Sequence, residues 1–293
     1  MTKLASQTAP LPQRVRMTDD PETILRFAAG GDAASALVTL VEIRGGAARA
    51  LGAQMAVRSD GSFMGYISGG CVEAAVAAEA LAAMEHGSDR FLLLGEGSPF
   101  FDIVLPCGGG ITLAIHIVRD PVPLRAAIND LVLRRRTALR YDPSRQSISR
   151  DEPSSTCWSS GMFFVRYRPV PRLMIASSSI EAEAVTKLAT AAGYSIAEDT
   201  AEIDEDTAVL LLLHDLDREE ALLDRALDSD AFYIGALGSK RTHERRCKRL
   251  LDRGYSPDQI SRIKGPIGLF GPARTASALA LSVLADIASI RGD

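Results

Sequence analysis

The chain has 293 residues, 46% hydrophobic and 24% charged, with a net charge of -4. That suits a two-domain globular protein able to bury sizeable cores, and it argues against wholesale nucleic-acid binding. No apolar run is long enough to span a membrane, and residues 1–20 lack the apolar core of a signal peptide. The cysteines (71, 107, 157 and 247) form no Cys-x-x-Cys pair, which argues against structural zinc or a secreted disulfide framework and points to a cytoplasmic chain with reduced thiols.

Residues 1–19 read as a flexible polar arm. Asp20-Pro21 opens a short helix that Gly30-Gly31 ends. Residues 36–43, rich in β-formers, predict the first strand. Arg44-Gly-Gly-Ala-Ala-Arg-Ala-Leu-Gly52 is a glycine-rich loop whose Arg44 and Arg49 could hold a phosphate; a surface loop with solvated arginines is the competing reading. Gln54-Met-Ala-Val57 followed by Asp60-Gly61 signals a hairpin.

Met64-Gly-Tyr-Ile-Ser-Gly-Gly-Cys-Val-Glu73 reads as a strand, a glycine turn and the start of a helix over 71–86. Gly69 and Gly70 would let a ligand approach the main chain. Cys71 would sit beside the positive helix end, which favours an anion and a thiolate. The competing reading is a buried cysteine at a tight turn. In Ile103-Val-Leu-Pro-Cys-Gly-Gly-Gly110 a strand pattern is broken at Cys107, Gly108 and Gly109, marking a bend or a ligand approach. If Cys107 faces Cys71 across a cleft, the two thiols could hold a soft metal or take part in sulfur chemistry; two unrelated turn cysteines are the alternative.

Residues 121–171 read as a connecting helix, a hairpin and a linker, in which Cys157 and Trp158 have no evident partner. From 172 onward strands alternate with helices, which predicts parallel βαβ units and a doubly wound sheet. Ligands on such a sheet bind beyond the carboxyl ends of its strands. Three features end strands there: Ser177-Ser-Ser179, His214-Asp215, and Gly235-Ala-Leu-Gly238-Ser239. The serines stand where a dinucleotide fingerprint would have glycines, which counts against NAD. Gly238-Ser239, followed by Lys240 and Arg241, makes a better anion cradle. The helix over 240–253 carries seven Lys or Arg against Glu244 and Asp252. An alanine-rich helix at 276–290 closes the chain.

Gly52-Ala-Gln-Met55, Asp60-Gly61, Ser68-Gly-Gly-Cys-Val-Glu73 and Leu105-Pro-Cys-Gly-Gly109 stand in the first domain. His214-Asp215, Tyr233-Ile-Gly-Ala-Leu-Gly-Ser-Lys240 and Gly265-Pro-Ile-Gly-Leu269 stand in the second. In this order and spacing the chain resembles the XdhC/CoxI family of accessory proteins for molybdenum hydroxylases. The resemblance implies an α/β protein: an XdhC-type cofactor-binding domain at 20–120, the connecting segment at 121–171, and a Rossmann-like domain at 172–293. It implies a chaperone rather than a turnover enzyme, one that binds the molybdenum cofactor (molybdopterin) as cargo and presents it for sulfuration by a cysteine desulfurase. The cargo would then pass to an apo-hydroxylase of the xanthine dehydrogenase type. A homodimer is implied, with no nucleic-acid or membrane partner. The implied cofactor-binding positions are Arg44, Arg49, Gly69, Gly70, Cys71, Glu73, Cys107, Gly108, Gly109, His214, Asp215, Gly238 and Ser239, with Cys71 and Cys107 nearest the metal. The chain departs from the family at Ser177-Ser-Ser-Ile180, where Gly-x-Gly-His is usual, at Ala48-Arg49, where Pro-Arg is usual, and at Thr275-Ala-Ser-Ala278. Two rivals remain: an NAD(P)-dependent Rossmann oxidoreductase, and a cofactor-free adaptor that docks an acidic partner on the basic helix.

Overall fold

In the computed structural model, which describes residues 10–70, 72–96, 108–152, 155–198 and 200–291, the chain divides into two units, Met1–Arg168 and Pro169–Asp293. The first begins with β1 (Gln13–Arg16), α1 (Pro21–Ala29), β2 (Ser35–Arg44), β3 (Gln54–Arg58) and β4 (Ser62–Gly65). Asp20 caps α1 by accepting the Thr23 N–H, and Pro21 takes the first turn, where its missing donor costs nothing. Then come α2 (Glu73–His86), β5 (Arg90–Gly95), β6 (Gly110–Ile117) and α3 (Val122–Val132). The strands form one sheet in the order β1-β4-β3-β2-β6-β5. Only the β1–β4 pair is parallel.

Alternation along β2 sends Ala36, Val38 and Leu40 to the face covered by Val76, Ala77, Ala80 and Ala83 of α2. It sends Leu37 and Val41 to the other face, among residues of α1 and α3. The small side chains of α2 let that helix lie close to the sheet.

Two expectations are corrected. Gln13–Arg16, placed in a flexible arm, is instead a strand on β4, with Gln13 beside Ser62. The segment 121–171, read as a connecting helix, a hairpin and a linker, holds a four-stranded sheet after its helix. β7 (Thr137–Asp142), β8 (Ser147–Asp151), β9 (Cys157–Ser159) and β10 (Met162–Tyr167) make an antiparallel sheet in the order β8-β7-β10-β9. Its Leu139, Tyr141, Phe163, Val165 and Tyr167 pack in one core with α1 and α3. Trp158 also gains a partner. A bulge in β2 between Leu40 and Glu42 takes Val41 out of register with β6, and Trp158 Nε1 donates to the Val41 carbonyl at 2.9 Å.

The second unit contains β11 (Arg172–Ala176), α4 (Ile180–Ala191), β12 (Ser195–Ala197), β13 (Thr207–Leu211), α5 (Leu216–Leu227), β14 (Tyr233–Ala236), α6 (Lys240–Asp252), α7 (Pro257–Ser261), β15 (Ile263–Lys264) and α8 (Ala276–Arg291). All its strand pairs are parallel, in the order β12-β11-β13-β14-β15. Residues of α4 and α8 pack on one face and residues of α5, α6 and α7 on the other, the doubly wound arrangement read from the sequence. Among the described residues no helix is long and apolar enough to cross a membrane.

Candidate functional site

At one end of the first unit's sheet, Arg44 pairs with Gly110, Gly110 with Gly95, and Met55 with Gly65. The loops that follow β2 and β4, and the entry to β6, therefore leave from the same end. Gly109 lies flat on the loop after β2: a Cβ there would fall 2.2 Å from the Gly46 carbonyl oxygen and 2.6 Å from that of Arg44. Gly69 (φ 93°) and Gly70 (φ 108°) are both left-handed, a conformation that disfavours any side chain. A Cβ on Gly69 would lie 3.6 Å from that of Ala48 in the same loop. The loop over 45–50 thus meets the glycine turn before α2 on one side and the entry to β6 on the other. Gly108 is exposed beside it. Cys71 and Cys107 lie outside the described residues.

Glu73 shapes this turn. Its Oε1 accepts the N–H groups of Ile67 (3.1 Å) and Ser68 (2.9 Å) and the Ser68 hydroxyl (3.1 Å), and its Oε2 accepts the Val72 N–H (3.1 Å). Burial alone would raise its carboxyl, but the converging N–H groups outweigh burial and hold it below the ordinary 4.5. Both oxygens face the loop, so Glu73 positions the turn and leaves ligand contact to its neighbours. Glu73→Gln places an amide NH2 against donors, and we expect a loss of about 1.5–3 kcal/mol in chemical denaturation, with faster amide exchange over 67–72. The depressed carboxyl gives a stabilisation present above pH 4.5 and lost as pH falls below it; the variant lacks that acid limb.

The two arginines differ. Arg44 donates through Nη1 to Glu42 (2.6 Å) and Thr112 (2.7 Å), through Nε to the Glu96 carbonyl (3.2 Å) and through Nη2 to that of Ile111 (3.3 Å). Every nitrogen is engaged, so Arg44 knits the loop base together, and the phosphate contact expected of it is not what its geometry serves. Arg49 stacks over the Tyr66 ring at 4.4 Å and donates Nη1 to the Tyr66 hydroxyl (3.0 Å) and to Asp19 (3.2 Å). Its Nε is buried with no acceptor among the described residues. It borders a cleft of about 190 Å³ whose lining includes Asp19, Gln54, Thr156 and Tyr167. Gln54 is held there by the Tyr167 hydroxyl (2.9 Å) and by its own bond to Thr39 (3.0 Å). Sequence reading quoted Gln54 only within a motif; a lone amide among strand hydrophobics was the available signal.

In the second unit the strand order reverses between β11 and β13, the place where such sheets open a crevice. Ser177 and Ser178, Leu213, and Arg218, Leu222 and Arg225 of α5 line a cleft of about 490 Å³ there. Ser177 Oγ accepts the Ser179 N–H (3.0 Å) and Ser179 Oγ accepts the Ala182 N–H (3.3 Å), so these hydroxyls serve the turn and the cap of α4. His214 is exposed. Asp215 caps α5 through the Asp217 N–H (2.9 Å), and Ser239 caps α6 through the Thr242 N–H (3.2 Å). Gly238, at φ 133°, leaves no room for a Cβ beside Thr242. The pairing of Leu211 with Ala236 sets His214-Asp215 and Gly238-Ser239 on one edge of the sheet. The sequence-derived residues therefore fall into two groups, one on each unit. Among the described residues no group of three or more His, Cys, Asp or Glu could hold a metal ion.

The chain is thus a glycine-looped α/β unit followed by a parallel doubly wound unit, and the sequence comparisons give this pairing a family. Residues 29–94 match the XdhC and CoxI family and residues 171–287 the XdhC Rossmann domain; the chain belongs to the XdhC and CoxI family. It is 51% identical to the molybdenum cofactor insertion chaperone PaoD of Escherichia coli (strain K12), over 96% of this chain and 92% of that protein. It is 27% identical to the uncharacterized protein YqeB of the same strain, over 88% of this chain and 44% of that longer protein. A Bacillus halodurans crystal structure described as a xanthine dehydrogenase superposes with a TM-score of 0.73 at 21% identity, covering 93% of this chain and 96% of that one, a likeness of fold.

Proposed function

We propose that the protein is a molybdenum-cofactor insertion chaperone that holds the cofactor as cargo at the glycine-lined loop end of its first unit and delivers it to an apo-hydroxylase. The observation that carries this reading is the meeting of Gly69, Gly109 and the 45–50 loop beside Arg49, whose buried Nε–H has no acceptor among the described residues. A pterin dithiolene with a terminal phosphate needs close main-chain approach, an open cationic donor and soft sulfur ligands. The glycines and Arg49 supply the first two. Cys71, next to Gly70, and Cys107, next to Gly108, are the thiols we assign to the third.

On this reading a cysteine desulfurase sulfurates the bound cofactor, the chaperone acts as a cytoplasmic homodimer, and the chain itself turns over no substrate. The serine turn at 177–179 spends the Ser177 and Ser179 hydroxyls on its own backbone and has no glycine for a pyrophosphate, which favours this reading over a nicotinamide enzyme.

The test is to purify the protein from molybdopterin-competent and molybdopterin-deficient cells and to assay bound pterin by fluorescence. Pterin is expected only from competent cells; equal background in both would refute the proposal. Cys107→Ala should lower retained molybdenum at least about tenfold, since even indirect partners of a bound metal cost that much.

A further inference from the structure

The seven Lys and Arg residues over 240–253 are divided by the fold. Arg246 is buried against Glu219 of α5, with Nη2 donating to Oε2 at 3.0 Å. Arg249 pairs with Asp217, and Arg253 pairs with Glu220 (2.7 Å) and Asp224 (2.6 Å). At 100° per residue these three share the side of α6 that faces α5. Arg241, Arg245 and Lys248 fall on another side, turned away from the buried Leu250. They and Lys240 are exposed, and none makes a hydrogen bond or ion pair among the described residues.

The stripe concentrates one sign of charge on the outer face of a single helix. Arg241 and Arg245 are four residues apart and Arg245 and Lys248 three, the spacings at which like charges repel; Glu244 and Asp252 share this side and offset that repulsion only in part, leaving it with four cations against two acids. Lys240 and Arg241 stand in a first turn that holds no acid, where the helix dipole disfavours cations. By contrast α1, α4 and α5 open with Glu22, with Glu181 and Glu183, and with Asp217 and Glu219. The stripe also opposes the molecule's net charge of -4. A helix that gives up local stabilisation on its outer face is compensated when an external anion meets it.

We propose that Lys240, Arg241, Arg245 and Lys248 form the docking face for an acidic patch on the apo-hydroxylase that receives the cargo, which rests on the chaperone reading above. A protein fits better than a nucleic acid. The stripe carries no aromatic on which bases could stack, and Leu251, one turn from Lys248 and 51% exposed, offers an apolar contact of the kind found at protein interfaces.

The probe is an apo-molybdenum hydroxylase purified from molybdopterin-deficient cells, bound to the full-length chain from ~0.05 to ~0.5 M salt. Wild-type affinity should fall with salt. A triple variant (Arg241→Glu, Arg245→Glu and Lys248→Glu) should bind at least about tenfold more weakly, chiefly through the association rate, with no loss of melting temperature and unchanged bound pterin. Arg253→Gln, which loses two ion pairs to α5, should lower thermal stability and leave affinity within about twofold. If the triple variant does not fold, Arg245→Gln and Lys248→Gln should each weaken binding several-fold. Wild-type affinity in the folded charge variants, salt-independent binding, no binding by wild type, or capture of nucleic acid in place of the apo-enzyme would overturn the proposal. Bound pterin in the same preparations reports separately on the chaperone reading.

Discussion

Replacing Gly109 by alanine is expected to destabilise the first unit by about 2–3 kcal/mol and to empty its cofactor site, whereas Gly108→Ala should cost about 1–2 kcal/mol and leave the site occupied. The two glycines are neighbours, but their obligations differ. Gly108 is at φ 70° with no atom of the described residues within 4 Å of a built Cβ, so alanine there meets backbone strain rather than a clash with them. At Gly109 the new methyl would meet the Gly46 oxygen at 2.2 Å, the Arg44 oxygen at 2.6 Å and the Gly46 nitrogen at 2.8 Å. All three are main-chain atoms and cannot rotate away. The 45–50 loop must then move, and with it Ala48, which packs on Gly69, and Arg49. Urea denaturation with a pterin assay on the folded fraction measures both effects. Equal loss of pterin in the two variants would show that close packing at Gly109 does not shape the site.

That contrast shows where sequence reading reaches its limit. Gly-Gly-Gly after Cys107 announced a close approach, but a Cβ-free position required by steric contact looks the same in sequence as one required by dihedral angle. The buried strands were legible because runs such as Ala208-Val-Leu-Leu-Leu-Leu213 have few alternatives, and Asp60-Gly61 fixed a hairpin locally. β1 was not legible: Gln13–Arg16 is exposed at every residue, so no apolar alternation marks it, and it is held by main-chain pairing to β4. The sheet of β7 to β10 was legible only in part, as a hairpin, because serines and prolines fill its turns, although Met162–Tyr167 alternates partly exposed with buried residues. Arg44 shows the same limit at the site. Its acceptors at Glu96, Ile111 and Thr112 lie 52 to 68 residues away, so only the fold reveals that its charge is already engaged.

Asp89→Asn is expected to lower the stability of the first unit by about 3–5 kcal/mol without lowering pterin bound per folded molecule. Asp89 accepts four donors: the Ile117 N–H (3.0 Å) and Arg119 (2.7 Å) at Oδ1, and His116 (2.7 Å) and the Tyr141 hydroxyl (3.1 Å) at Oδ2. These come from β6, from the segment after it, and from β7, so one carboxylate ties the two sheets of the unit together. An asparagine would turn an NH2 toward two of those donors and leave Arg119 without its counter-charge. Burial alone would raise the carboxyl, but His116 and the other donors outweigh it and hold it at about 2, against an ordinary 3.8. A depressed carboxyl stabilises the fold fully above pH 3.8 and loses that contribution as pH falls toward 2. Burial and the adjacent Asp89 charge push the Tyr141 phenol above its ordinary 10, so its contribution holds below pH 10 and weakens as the unfolded phenol ionises. Melting temperatures of wild type and variant should therefore differ most across the plateau between these limits and converge in acid. His116 and Ile117 close β6 at the end opposite Gly110, where the cofactor loops leave the sheet, which is why stability and cargo should separate. A variant that melts with wild type at neutral pH would show that the two sheets hold together without this carboxylate, and one that loses pterin in proportion to stability would show that the glycine loops depend on it.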